Sequence, residues 1–306
     1  MENLAVLWDA SVSDTEGDPF DKEGVEEAYQ FFSKEAESRD LQLYLANYKW
    51  YKGGELEKAY VLEDGKWRVE TDVAVDIVFD KFVFNEETKK LKKQIDREKE
   101  ILNSPELEEI CKDKLLSFKR FPELVPETGN AERSRVKRFL EEDGKAVLKP
   151  RFDWGGQGVK VIESLEGFEG GEELVQRFID SSSGIEELGI EGVHDLRFLV
   201  LNGEVQRVLL RTPDEGFISN VNRGGSLQKV EAGKVPERAF EVVEKVDHEL
   251  KSVGDRFYSV DLIFDENGRP WVLELNSKPA LAFWNDEEIA EWKKPVIRQL
   301  VRVLSG

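Results

Sequence analysis

The segment from Phe257 to Pro279, FYSVDLIFDENGRPWVLELNSKP, carries Asp261 in one apolar run and Glu274 and Asn276 in another. Two carboxylates and an amide oxygen are hard donors, a set suited to magnesium bridging substrate phosphates. In an extended strand Val272, Glu274 and Asn276 project to one face, and Trp271, Leu273 and Leu275 to the other. Asp261, from the preceding strand, can face the same space. The competing reading is a polar face turned to solvent, as antiparallel sheets commonly have. On this stretch alone the two stand level.

Two further stretches suit anion binding. In WGGQGV (Trp154 to Val159), Gly155, Gly156 and Gly158 let backbone N–H groups approach a phosphate closely, with Gln157 between them. Lys149, just before it, can place a point charge on that phosphate. NVNRGG offers Asn220, Asn222 and Arg223 beside paired glycines. Each pattern alone is also met in functionless turns. The two histidines, His194 and His248, have no cysteine or second histidine at ligand spacing, which argues against zinc. There is no G-x-G-x-x-G, no G-x-x-x-x-G-K-[ST] and no G-x-S-x-G.

The elements that must position these groups alternate between strand and helix patterns. LAVLW (Leu4 to Trp8) opens with a buried-strand run, followed by helical spacing at Val25, Ala28, Phe32 and Ala36. LQLYLAN and DVAVDIVFDKF are further strands, and YVLEDGKWRVE is a hairpin turning at Asp64-Gly65. A charged helix, EETKKLKKQIDREKEIL, leads to the middle region. There KAVLKP and RFDWGGQGVKVIE form a strand, a glycine-rich turn and a strand. EELVQRFI, then HDLRFLVLNGEVQRVLLR around Asn202-Gly203, add strands, and PERAFEVVEKVDHELKSV is a helix before the opening feature.

The 306 residues can hold one large domain or several small ones. With 64 acidic and 44 basic side chains the net charge is −20, which disfavours nucleic acid and anionic membrane as partners. No run of about 18 apolar residues suggests a membrane span, and the N-terminus has no secretion-signal pattern. The single cysteine, Cys111, cannot form an internal disulfide, which fits the cytoplasm.

In order along the chain, KDKLLSFKRFPELVPET, AVLKPRFDWGGQGV, LVQRFI, HDLRFLVLNGEV, FISNVNRGG and DLIFDENGRPWVLELNSKP resemble the ATP-grasp superfamily, specifically its RimK-like and glutathione-synthetase-like ligases. The resemblance implies an α/β (α+β) fold, with a small pre-ATP-grasp α/β domain over 1–108, a central lid subdomain over 109–173 and a C-terminal subdomain with the metal site over 174–306. It implies that Lys114 and Lys149 contact the phosphates of ATP beneath a loop at Gly155, Gly156, Gln157 and Gly158. Gln176, Arg177 and Phe178 would line the adenine hinge, chiefly through backbone, with Asp195 a nucleotide-contacting acid. Arg197 and Arg211 would act on the phosphate or the charged intermediate. Asn222 and Arg223 would meet substrate, and Asp261, Glu274 and Asn276 would hold magnesium, or manganese in its place, with Asn220 nearby.

The implied reaction is a carboxylate–amine ligation through an acyl phosphate, on small-molecule carboxylate and amine substrates, by a monomer or a homo-oligomer. An ATP-grasp kinase and a silent nucleotide-binding protein are the alternatives. Arg177 stands where RimK-type ligases commonly have an acid, and Ile218 where they often have arginine, so the substrate is recognised differently.

Overall fold

Leu4 to Leu7 have no more than 1% exposure, as expected of a strand covered on both faces. In the computed structural model this run is β1 (Glu2–Trp8), and the residues described are 1–9, 19–20, 24–152, 156–171, 173–213, 226–283 and 286–306. Contacts divide the chain into two units, Met1–Glu106 with Val253–Phe257 and Lys278–Gly306, and Leu107–Ser252 with Tyr258–Ser277.

In the first unit β1 is followed by α1 (Val25–Glu37) and β2 (Leu41–Asn47). Then come the short β3 (Tyr51–Lys52) and β4 (Glu55–Leu56), the hairpin β5 (Ala59–Glu63) and β6 (Lys66–Glu70), β7 (Val73–Ala74) and β8 (Ile77–Asp80). α2 (Glu86–Glu98) and β9 (Glu100–Leu102) complete the run. The main sheet has the order β6-β5-β2-β1-β8-β9, with β2, β1, β8 and β9 parallel. The β5–β6 turn falls at Asp64 and Gly65, both with positive φ, as the sequence pattern requires. α2 begins with a capping box in which Asn85 and Thr88 satisfy each other's backbone N–H groups.

The second unit takes in α3 (Pro105–Lys112) from Leu107 onward, α4 (Lys114–Arg120), β10 (Thr128–Asn130), α5 (Arg133–Asp143), β11 (Ala146–Lys149), β12 (Lys160–Ile162) and β13 (Leu174–Arg177). β14 (Asp195–Leu201), β15 (Glu204–Thr212), β16 (Ser226–Val230), α6 (Glu237–Leu250), β17 (Phe257–Phe264) and β18 (Pro270–Asn276) follow. Two sheets result, β10-β13-β11-β12 and β16-β15-β14-β17-β18. In the first, Ala146, Leu148 and Val175 pack against Val136 and Phe139 of α5, so alternate residues of β11 and β13 turn to the opposite side.

The last helix, α7 (Glu287–Leu304), lies in the first unit and packs on α1, burying Trp292, Val296, Ile297, Leu300, Val301 and Leu304. The boundaries drawn from sequence are linear, whereas these units are assembled from separated segments. The amphipathic period of α7 says that it needs a partner but not which one. Among the described residues no helix is long and apolar enough to cross a membrane.

One expectation about faces is overturned. Asp261 pairs with Glu274 but Leu262 pairs with Val272, so Leu273 is an extra residue in β18. This β-bulge breaks strict alternation. Val272 therefore lies on the face opposite to Glu274, and both Val272 and Leu275 are buried. Glu274 and Asn276 keep the common face that the sequence assigns them.

Candidate active site

The five-stranded sheet separates an apolar face from a charged one. The Tyr258 hydroxyl donates to Asp247 Oδ1 of α6 at 3.0 Å, which places Tyr258, and by alternation Val260, Leu262 and Phe264, on the α6 side. Ser259 and Asp261 face the other way. Their cross-strand partners on β18 are Asn276 and Glu274. On β14, Leu196, Phe198 and Val200 are fully buried, and Phe198 meets Phe240 of α6 edge-on. Asp195 and Arg197 therefore project opposite to them, and Arg211 on β15 stands across from Asp195.

These charges are closely paired. Arg197 donates from Nε and Nη2 to the two oxygens of Asp261, both at 2.7 Å. Arg211 donates to Asp195 Oδ1 at 2.7 Å and to Asp261 Oδ2 at 2.5 Å. Asp261 is 2% exposed, which removes the reading of this strand as a solvent-facing polar surface. Burial alone would push its carboxyl up, but Arg197 and Arg211 outweigh it and hold the value at about 2. Asp195 goes the other way, raised to about 7 by burial against the pull of Arg211 and with Asp261 adding repulsion. Two buried acids thus share Arg211, and Asp261 gains most because Arg197 adds a bidentate pair.

Lys149 ends β11 on the side away from α5 and is 4% exposed. Burial lowers its ammonium to about 7, with the neighbouring Lys114 charge adding to the effect. Lys114 is the first residue of α4, whose N-cap is Asp113, and its Nζ lies 3.9 Å from Glu274 Oε1. Burial also raises the Glu274 carboxyl, opposed by Lys114 and reinforced by Asp261. Lys114, Lys149 and Glu274 line one recess together with Cys111, Ser117 and Leu273. Burial pushes the Cys111 thiol well up, so it is an apolar wall here and not a nucleophile.

Residues 113–267 match the family model of the prokaryotic glutathione synthetase ATP-grasp domain, 155 of 306 positions. The chain belongs to that family. The glutathione synthetase of Thermosynechococcus vestitus is 27% identical over 175 residues, 53% of this chain and 51% of the relative. A probable alpha-L-glutamate ligase of Vibrio parahaemolyticus is 32% identical over 170 residues, 51% of each chain. The chain spans about half the length of the curated relatives it matches. A RimK domain ATP-grasp protein from Sphaerobacter thermophilus superimposes with a TM-score of 0.62 at 14% identity, covering 98% of this chain and 99% of that one. The fold is ATP-grasp, as the ordered motifs imply.

Within this ATP-grasp domain the remaining expected residues are distributed as follows. The Gln176 side chain is 2% exposed and accepts from Lys149 Nζ at 2.8 Å. The Arg177 guanidinium turns to Asp143 and Glu142 at the end of α5, at 2.8 and 2.6 Å, and its backbone N–H is taken by the Glu127 carbonyl. Phe178 receives the Lys145 ammonium over its ring at 5.5 Å. Gly156 and Gly158 both have φ of 70°, and a Cβ on Gly158 would meet Pro150 Cγ at 2.6 Å, so only glycine fits that turn. Gly155, Asn220, Asn222 and Arg223 lie outside the described residues, as do Trp154 and Ile218.

Sequence reasoning passed over Asp113, Arg151 and Thr128. Asp113 caps α4 through Leu115 and Leu116 and forms a bidentate pair with Arg151 at 2.8 and 2.6 Å. The pair links the residue before Lys114 to a residue just after Lys149. The available signal was the N-cap pattern of Asp113 ahead of a helical run.

Asp261 and Glu274 are cross-strand neighbours whose like charges repel, which a cation between them would relieve. The Ser259 hydroxyl, fully buried across from Asn276, has no hydrogen-bond partner among the described residues. Among those residues no three His, Cys, Asp or Glu side chains cluster at ligand geometry. The oxygen donors fit magnesium.

Proposed function

We propose that this ATP-grasp protein is an ATP- and magnesium-dependent, ADP-forming carboxylate–amine ligase acting on an amino acid or small peptide-like carboxylate. The observation that carries the reading is the convergence of Lys114 and Lys149 on Glu274, one residue pair away from the Asp261–Arg197–Arg211 cluster. In the proposed reaction a carboxylate oxygen bonds to the γ-phosphorus as ADP leaves. The amine then bonds to the acyl carbon, phosphate departs and the amine loses a proton.

Lys149 and Lys114 supply positive charge to the phosphates from a site that water barely reaches, where it counts most. Magnesium, held by Asp261, Glu274 and Asn276, would neutralise charge on the transferring group, and manganese can take its place. Arg197 and Arg211 are fixed in orientation by Asp261 and Asp195. Arg197, with a side chain 23% exposed against 8% for Arg211, is the one with room to meet an anion. Arg211 acts behind it by setting the charge of Asp261. The hairpin at Gly156–Gly158 would exclude water from the acyl phosphate. A buried free Cys111 supports a reducing, cytoplasmic setting.

The test is purified protein with ATP, magnesium and an amino-acid panel, followed by product mass and nucleotide analysis. ADP with an amide product is expected. A phosphorylated product would assign a kinase, and no nucleotide turnover under any acceptor would leave a silent binding protein. Glu274→Gln should lower turnover by at least about a hundredfold, the scale of losing one electrostatic group at a transferring phosphate, with an unchanged circular dichroism spectrum. Retained activity would refute the metal assignment.

A further inference from the structure

Gln176 was expected to serve adenine through its backbone, but its side chain is engaged elsewhere. It sits on the inner strand β13, directly across from Thr128 on β10 and, on the other side, across from Val147 on β11. Lys149, two residues beyond Val147, is its diagonal neighbour on the same face. Three hydrogen bonds run in one line, and Gln176 Nε2 also donates to the Pro126 carbonyl at 3.5 Å. The Thr128 hydroxyl donates to the Pro126 carbonyl at 2.8 Å, Gln176 Nε2 donates to Thr128 Oγ1 at 2.8 Å, and Lys149 Nζ donates to Gln176 Oε1 at 2.8 Å.

The direction of this line is dictated at both ends, and the Lys149 ammonium can only donate. A backbone carbonyl can only accept, so the Thr128 proton points to Pro126 and its oxygen is left to accept. The Gln176 amide must then turn its NH2 group to Thr128 and its oxygen to Lys149. An amide in this place holds the ammonium without cancelling its charge. A carboxylate there would pair with Lys149 and weaken its pull on a phosphate. A hydrocarbon would leave a buried lysine with one fewer acceptor and more rotamers to occupy.

We propose that Gln176 is a positioning residue for Lys149, and that the Pro126–Thr128–Gln176 line sets the ammonium in place for the phosphates of the nucleotide. The inference rests on the nucleotide reading of the site. It gives the Gln176 side chain a role apart from any backbone contact to adenine, because a positioning residue for a phosphate lysine matters only to ligands that carry phosphates.

Titration calorimetry of the full chain with ATP, ADP and adenosine decides it, using wild type, Gln176→Leu, Gln176→Glu, Lys149→Met and the Gln176→Leu/Lys149→Met double variant. Gln176→Leu should weaken ATP and ADP by about 10- to 100-fold, the scale of a hydrogen bond to a charged group, and adenosine by less than about twofold. Gln176→Glu should weaken ATP as well, since it keeps the acceptor but adds the opposing charge. In the Lys149→Met background Gln176→Leu should cost ATP less than about twofold more, the non-additivity of residues acting through one group. Should the leucine variant fold poorly, Thr128→Val leaves the amide nitrogen only the Pro126 carbonyl at 3.5 Å, loosens Gln176 and should weaken ATP by about 3- to 10-fold, again sparing adenosine. Equal losses for adenosine and ATP, or an undiminished effect of Gln176→Leu without Lys149, would overturn the proposal and leave the nucleotide reading standing. A wild type that binds neither nucleotide would fail both.

Discussion

Replacing Arg211 by methionine tests the charge network most directly. Arg211 is 7% exposed and donates to both Asp195 and Asp261, so its loss leaves two buried acids with one guanidinium between them. Removing one partner of a buried ion pair costs about 3–5 kcal/mol. With a urea slope of about 2–3 kcal/mol/M, the midpoint of the second unit should fall by about 1–2.5 M. The effect should also depend on pH. A carboxyl whose folded pKa exceeds its unfolded value of about 3.9 keeps a proton that the unfolded chain gives up. Stability therefore falls as pH rises between those values, by about 1.4 kcal/mol per unit. In the wild type that decline ends near 7, where Asp195 ionises in the folded state. Without Arg211 the Asp195 carboxyl rises further and the decline continues above 7, so the deficit at pH 8.5 should exceed that at pH 7. Adding Asp195→Asn removes the orphaned acid and should recover about half of the loss at pH 8.5. Urea unfolding with pulsed hydrogen exchange in β14, β15 and β17 reads this sheet separately from the rest of the chain. A loss under about 1 kcal/mol that does not change with pH would refute the pairing.

Asp113→Ala removes both the cap of α4 and the Arg151 pair and should cost about 2 kcal/mol in chemical denaturation, while Asp113→Asn keeps the cap and should cost about half as much. The lowered Asp113 carboxyl means its charge contribution is present above about pH 4 and lost as pH falls below it, so Asp113→Asn should converge with wild type in acid while Asp113→Ala keeps the deficit of the missing cap. Gly184 has φ of 75°, and a Cβ there would lie 1.9 Å from the Ile190 carbonyl oxygen. Because that neighbour is backbone, Gly184→Ala should cost more than about 2 kcal/mol, read as a melting-temperature drop of several degrees.

The sequence by itself determined the kind of fold and most of the charged inventory. Apolar runs and turn residues placed β1, the β5–β6 hairpin at Asp64-Gly65 and the β14–β15 hairpin at Asn202-Gly203, because such signals are local. Lys114, Lys149, Asp195, Arg197, Arg211, Asp261, Glu274 and Asn276 could be named from residue type and motif order. The common face of Glu274 and Asn276 followed from a period of two. What those residues touch was not legible. One added residue at Leu273 moved Val272 to the apolar face, and no local pattern marks a bulge that exists only relative to β17. Whether Asp261 is exposed or fully paired depended on Arg197 and Arg211, 64 and 50 residues away along the chain. The Gln176 side chain was read as incidental to a backbone role because Thr128 and Lys149 reach it only when β10, β13 and β11 assemble. Side-chain chemistry is written residue by residue, but charge state and hydrogen-bond direction belong to neighbours that only the tertiary structure brings together.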